Sequence, residues 1–378
     1  MKIKIPYYYN DFRCISSKCS DTCCAGWQII IDDKTYSLYK NVSSEFGNRL
    51  NSSITNTEDN EHSFILEGDN CPFLNDNLLC DIYTNLGEDS LCYTCKTFPR
   101  IINEYASLRE ISLSMSCPEA CRLLLLNNKF TTNTETTDEQ VASYNSITPD
   151  LYIQLIKSQK IAFNIIQDSS MSLRDRIDLL LSFSEDIQEC IDTCELSKIT
   201  SIRNKYSSEE YLHKKISSHI YKFNYSNIRK YFDTFNELEQ INDVWPNIIS
   251  DIKSNVLKDN HENYITNANK FNIYYKNREY EYENILSYFL FRYFLQALYD
   301  ADILSKIKLA IFSYIIIYNL DIDTFLKNNN KLTLEDQIYI AHMYSKEIEH
   351  SDNNIEKLHD LFNNNKLFSS DNLLTSIT

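Results

Sequence analysis

Beyond about residue 150 the apolar side chains return at helical spacing. Leu173, Ile177, Leu180, Ile187 and Ile191 fall on one face of a 3.6-residue repeat. Ser172 precedes this run with Asp175 three residues on, an arrangement that caps a helix start. Thr148-Pro149-Asp150 opens an earlier helical run, and the same periodicity predicts helices around 208–222, 225–257, 280–299, 303–319 and 333–348. No internal repeat is visible. The 280–299 segment carries Arg292 inside the run Tyr-Phe-Leu-Phe-Arg-Tyr-Phe-Leu. A buried guanidinium needs a partner; an internal ion pair is the simpler expectation, a ligand carboxylate the other.

The first third does not show this period. Five of the six prolines and all four glycines precede residue 151, and ten of the twelve cysteines lie between Cys14 and Cys121. The pattern predicts a mainly α protein, with an irregular, turn-rich cysteine-cluster domain over 1–126 and an α-helical domain over 150–378. The polar segment 127–149 reads as a linker between them.

Charge and composition then exclude several classes. A net charge of −16 argues against a nucleic-acid clamp, which needs clustered Lys and Arg. The start MKIKIPYYYNDF has no apolar run of the roughly 7–15 residues a secretory signal carries. The longest apolar stretch, Leu309–Leu320, is short of the roughly 20 residues a bilayer needs and reads as a core helix. These readings predict a cytoplasmic protein with no membrane or nucleic-acid partner. The glycines, at 26, 47, 68 and 87, cannot supply a dinucleotide loop, a phosphate loop or the glycine-rich turn of an ordinary Rossmann-type methyltransferase. Any nucleotide-like ligand must be held another way.

The cysteines are the candidate chemistry. They run C-x4-C-x3-C-C from Cys14 through Cys19 and Cys23 to Cys24, then Cys71-Pro-Phe-Leu, Cys80-Asp-Ile-Tyr, Leu-Cys92-x2-Cys95-x3-Pro-Arg100 and Ser-Cys117-Pro-Glu-Ala-Cys121. A disulfide framework belongs to small secreted chains. Structural zinc would use C-x2-C knuckles, of which Cys92 and Cys95 form one without a matching second. A [4Fe–4S] cluster is held by thiolates alone. The only histidine before residue 200 is His62, so a metal site here is nearly all sulfur; zinc and iron–sulfur both remain open at this point. The ligand candidates are Cys14, Cys19, Cys23, Cys24, Cys71, Cys80, Cys92, Cys95 and Cys117. Adjacent side chains diverge, so Cys23 and Cys24 are expected to take different roles. Cys190 and Cys194, four apart on a predicted helix, are expected to pack.

Other polar residues accompany the cysteines. Arg100 could bind a cofactor carboxylate bidentately, or pair with Asp32 or Asp33. Asp21, Asp81 and Glu119 stand close to candidate ligands as possible polar helpers, or as caps and solvated acids. Trp27 is expected to anchor the core. The catalytic residues and the oligomeric state are left open by the sequence.

The cysteine pattern resembles that of cysteine-cluster proteins with a zinc- or iron-chelating domain. More closely, the chain resembles the flagellin lysine-N-methylases of the FliB family. The residues that carry the likeness are Tyr9-Asn-Asp-Phe-Arg-Cys14, Cys19-Ser-Asp-Thr-Cys-Cys-Ala-Gly-Trp27, Ile31-Asp-Asp-Lys-Thr-Tyr36, Cys71-Pro-Phe-Leu74, Cys80-Asp-Ile-Tyr83, Leu91-Cys-Tyr-Thr-Cys-Lys-Thr-Phe-Pro-Arg100 and Ser116-Cys-Pro-Glu-Ala120. They cover about residues 6–125. The resemblance implies S-adenosylmethionine-dependent methylation of flagellin lysines, with an iron–sulfur cluster on the N-terminal cysteines. The alternative from another class is a non-catalytic zinc- or iron-binding module, acting as a scaffold, metal handler or redox sensor.

Overall fold

Helix starts follow their caps. In the computed structural model, which describes residues 1–57, 60–68, 70–139, 147–217, 222–258 and 260–378, the Ser172 side chain accepts from the Asp175 amide and opens the helix Leu173–Asp192. Asp302 does the same for Ile303–Lys327. Thr333 and Asp336 cap each other's amides at the start of Leu334–Glu349. Each cap satisfies amides that the first helical turn leaves without an intrahelical partner.

The Ile303–Lys327 helix is the centre of the larger core. Tyr280–Tyr293, Leu173–Asp192, Leu334–Glu349 and Asp352–Asn364 pack around it. It runs longer than its apolar stretch implies and is, among the described residues, the one helix long and apolar enough to cross a membrane; 94% of its apolar window is buried within the protein. Two of its buried polar residues bond within the protein: Lys308 donates to the Phe362 carbonyl at 2.8 Å and Asn319 accepts from Tyr264 at 2.8 Å.

Two expected helices are interrupted. The 225–257 segment breaks into Tyr225–Asp233, a short 3-10 turn and Trp245–Asn255, whose first turn holds Pro246. The 280–299 segment ends its regular helix at Tyr293 and continues through a 3-10 turn. The 208–222 segment forms Glu209–Ser217; residues 218–221 lie outside those described.

The N-terminal region is richer in strands than its turn signals suggest. Its strands are β1 Lys2–Pro6, β2 Ile30–Ile31, β3 Ile54–Asn56, β4 His62–Phe64, β5 Arg100–Tyr105, β6 Leu108–Leu113 and β7 Thr132–Thr136. One sheet has the order β5-β6-β1-β7, with β1 parallel to β6 and antiparallel to β7; the other has the order β2-β4-β3. Thr132–Thr136 therefore forms a sheet edge within the stretch read as a linker, of which residues 140–146 lie outside the described ones. Lys4 of β1 pairs at 3.0 Å with Glu110 of β6, which is buried.

Burial divides the first third between two cores. Tyr8, Phe12 and the buried residues from Tyr105 to Phe130 join the large helical core. Ile29, Ile31, Tyr39, Leu50, Phe64, Phe73 and Ile82 form a small core of their own, with Cys71 and Cys92 inside it.

Candidate metal centre

The cysteines gather where these two cores meet. Cys71 and Cys92 are buried in the small core, and Cys24, Cys80 and Cys95 pack against it. The Cys71 amide donates to the Cys24 carbonyl at 2.7 Å, which brings the two chain segments together. Cys80 and Cys92 stand at the N-caps of short helices Asp81–Leu86 and Tyr93–Thr97. The five thiols feel one another's charge. Burial pushes Cys71 up to about 12, against the Phe73 amide, and Cys24, Cys80 and Cys92 raise it further. Burial also raises Cys80, with Cys24 adding to the rise. A hydrogen bond between Cys92 and Cys95 holds Cys92 low and Cys95 high.

A second group lies on the other side of Cys24. After burial, Cys14 raises Cys19 and both add to the rise of Cys117, while Cys14 and Cys117 add to that of Cys23, so these four thiols interact electrostatically. Burial pushes Cys117 up to about 12, and Cys19 and Cys14 add to it. Cys117 caps the helix Pro118–Leu125 from the N-terminal side. The boundary between the groups falls between adjacent residues. Cys23 donates to Cys24, which lowers Cys24 to about 7 and drives Cys23 up.

Of the remaining cysteines, Cys121 is raised by burial and then by nearby Cys117, while Cys190 and Cys194 lie on the helical part. Cys121 is fully buried and donates to the Ile338 carbonyl at 3.8 Å. Cys190 is buried on the Leu173–Asp192 helix and Cys194 is exposed just beyond it. All twelve cysteines are free thiols.

Among the described residues no group of three or more His, Cys, Asp or Glu side chains is placed so that it could hold a metal ion. The donor set itself is all sulfur. A lone tetrahedral ion needs each sulfur about 2.3 Å from a common centre, whereas a polynuclear cluster meets each thiolate with a different iron.

A polar face from the helical part closes on the second group. Lys346 Nζ lies 2.7 Å from Asp21 Oδ2, and His342 Nδ1 lies 4.0 Å from the same oxygen. His350 Nε2 and the Ser116 hydroxyl are hydrogen-bonded at 2.8 Å, and the His350 ring meets Trp27 at 5.2 Å. His342, Lys346 and His350 are spaced four apart, so one helical face presents all three. Ser116 continues to Ser114, then to Arg292 at 3.3 Å. Arg292 pairs with buried Glu349 at 2.9 Å, as the simpler expectation for it required.

Three further expectations resolve in the structure. Asp81 binds Arg49 and Asn75, and Glu119 binds Arg122, so both serve local pairs. Asp21 instead faces the helical part. Trp27 donates to the Cys23 carbonyl at 2.8 Å and packs at the edge of the small core. Arg100 lies over the rings of Tyr9 and Phe12, at 5.7 and 5.4 Å, and pairs with no carboxylate among the described residues; the pair with Asp32 or Asp33 is not formed. Asp32 is engaged by the Thr35 and Tyr93 amides. Sequence reasoning missed His342, Lys346 and His350. The spacing of four between His342 and Lys346 was visible in the predicted helix 333–348, with His350 just beyond it, but the facing Asp21 was not.

The model of the FliB lysine N-methylase C-terminal domain matches residues 159–376. The flagellar biosynthetic protein FliU of Salmonella muenchen is 31% identical over 128 residues, covering 32% of this chain and 75% of that protein. The lysine-N-methylases of Salmonella choleraesuis and Salmonella typhimurium are each 30% identical over 134 residues, covering 32% of this chain and 31% of those proteins. The match thus spans three quarters of the first relative and under a third of the other two. No solved structure matches the chain.

Proposed function

The chain belongs to the FliB lysine N-methylase family, a class of protein-lysine N-methyltransferases, and on that premise we propose that it methylates lysine side chains of flagellin in the cytoplasm. The family match over 159–376 carries this reading, and the flagellar relative FliU supports the choice of flagellin. S-adenosylmethionine, when bound, supplies the methyl group.

An iron–sulfur cluster belongs to the proposal. Cys24, Cys71, Cys80, Cys92 and Cys95 offer more thiols than a [4Fe–4S] centre needs, and they sit against an apolar core that keeps water away. Cys14, Cys19, Cys23 and Cys117 then border the reaction site, next to Asp21. Arg100 supports a carboxylate site, because its guanidinium is stacked on Tyr9 and Phe12 with its hydrogen-bonding edge not taken by an acid. A lysine nitrogen reacts only as the free amine, so the protein must align and desolvate it.

The test is direct. Anaerobically purified protein is incubated with flagellin and S-adenosylmethionine, and the flagellin is weighed by mass spectrometry. A gain in whole methyl units is expected, from a brown protein containing iron and sulfide. No gain on any cognate flagellin sinks the enzyme reading. A colourless protein with stoichiometric zinc sinks the cluster and favours the metal-binding module.

A further inference from the structure

His342 is 1% exposed, and neither ring nitrogen has a hydrogen-bond partner. An unsatisfied buried polar atom costs about 1–3 kcal/mol, and an apolar side chain of similar size would avoid that cost. A native protein that keeps such a group calls for a reason. The neighbours of His342 point to one. Its Nδ1 is 4.0 Å from Asp21 Oδ2, and the ammonium of Lys346 already rests 2.7 Å from that same oxygen. Lys346 is 3% exposed at its side chain, while Asp21 is 24% exposed and so forms the solvent edge of the arrangement. Gly26 leaves room for Lys346, since a Cβ there would stand 3.2 Å from its Cε. Asp21 lies between Cys19 and Cys23 of the second thiol group.

We propose that Asp21 and His342 form the receiving site for the amine of the lysine to be methylated, and that Lys346 occupies this site in the free protein. The proposal rests on the methyltransferase reading above. A primary alkylammonium has three N–H donors. Lys346, held on the same helix as His342, uses Asp21 and leaves the imidazole without a partner. A lysine entering from the Asp21 edge can meet both. Burial, reinforced by the Lys346 charge and opposed by Asp21, lowers the His342 pKa to about 4. The ring is therefore neutral near pH 7 and keeps one nitrogen as an acceptor.

Butylammonium, the lysine side chain without its backbone, is the probe. Full-length Lys346→Met protein, with Asp21 vacated, is titrated with butylammonium chloride and the histidine ring nitrogens are followed by NMR. The His342 signals, identified by their loss in His342→Gln, should shift saturably, and Asp21→Asn should abolish the shift. No shift, or a shift that survives Asp21→Asn, overturns the proposal. A second arm uses flagellin: His342→Leu should lower kcat/KM about 100-fold, with thermal midpoint equal or higher and iron content unchanged, and His342→Gln should recover part of the rate. Wild-type rates in His342→Leu, or a parallel loss of rate and stability, overturn it. If the wild-type protein methylates no flagellin, the enzyme reading fails by itself and the butylammonium titration still decides this one.

Discussion

Cys23 and Cys24 are joined by a peptide bond and a thiol hydrogen bond, yet they belong to different thiol groups. Cys24 shares charge with Cys71, Cys80 and Cys95 in the small core, and Cys23 with Cys14 and Cys117 beside the helical part. The two thiols touch each other but interact with different neighbours, so one loop can serve two centres. Cys24→Ser should therefore lose most of the iron and sulfide of the anaerobic protein. Cys23→Ser should keep both and lose methylation. Iron and sulfide analysis of the two variants checks this, and equal loss from both defeats the split.

Arg292 and Glu349 make a different kind of claim. Both are buried, and the carboxylate also accepts from Tyr288 at 3.0 Å and Tyr293 at 2.8 Å. Removing one member of a buried pair strands the other without its counter-charge, at about 3–5 kcal/mol. Arg292→Met is expected to lower stability by that amount in urea unfolding. The same change at Lys198, which pairs with Glu195 on the surface, should leave the midpoint unmoved. A shift at Lys198 as large as that at Arg292 would remove the distinction.

These two cases show which parts of the molecule were legible in the chain. Arg292 inside an apolar run announced its need for a partner, which Glu349 supplies. The cap at Ser172 marked its helix because the capping chemistry is local. The sheet was not legible. β7, Thr-Asn-Thr-Glu-Thr, is polar on both faces and is mostly exposed, so no alternation marks it as a strand. β1 is only Lys2–Pro6, and its pairing with β6 and β7 spans more than 100 residues of chain. The break before Trp245 had one local signal, Pro246 in the first turn of the next helix. His342 and Lys346 read as ordinary helix positions until Asp21, more than 300 residues away, is placed against them.

Gly26 tests how closely the cysteine loop must approach the helical part. Its φ is +81°, and a Cβ would meet Lys346 Cε at 3.2 Å and the Ile241 carbonyl at 3.3 Å. Gly68 also has a positive φ, +63°, with nothing within 4 Å. Both alanine variants meet the left-handed backbone penalty, of about 1–2 kcal/mol, and only Gly26→Ala adds the contact. Gly26→Ala should therefore be the less stable of the two in urea unfolding. Equal midpoints would mean that the loop moves aside freely.

Ile241, whose carbonyl Gly26 meets, is held through its amide by Glu347, and that makes the docking pH-dependent. Glu347 is 2% exposed and accepts from the Ile241 amide at 3.2 Å and the Asn242 amide at 3.0 Å. Burial raises its pKa from 4.5 to about 7, against the two amides. In the folded protein it therefore holds a proton between about pH 4.5 and 7 that the unfolded chain has released. Stability from this group is fully present below about pH 4.5 and falls as the pH rises through 7, by about 3 kcal/mol in all. Glu347→Gln stays neutral and keeps a carbonyl acceptor, so its stability should lack this decline. Unfolding midpoints of the two proteins from pH 5 to 8.5 should draw apart as the pH rises from 5 to 7 and keep a constant separation above it, with the glutamine variant the more stable. Parallel curves across that range would show that Glu347 does not set the pH dependence of the loop it holds.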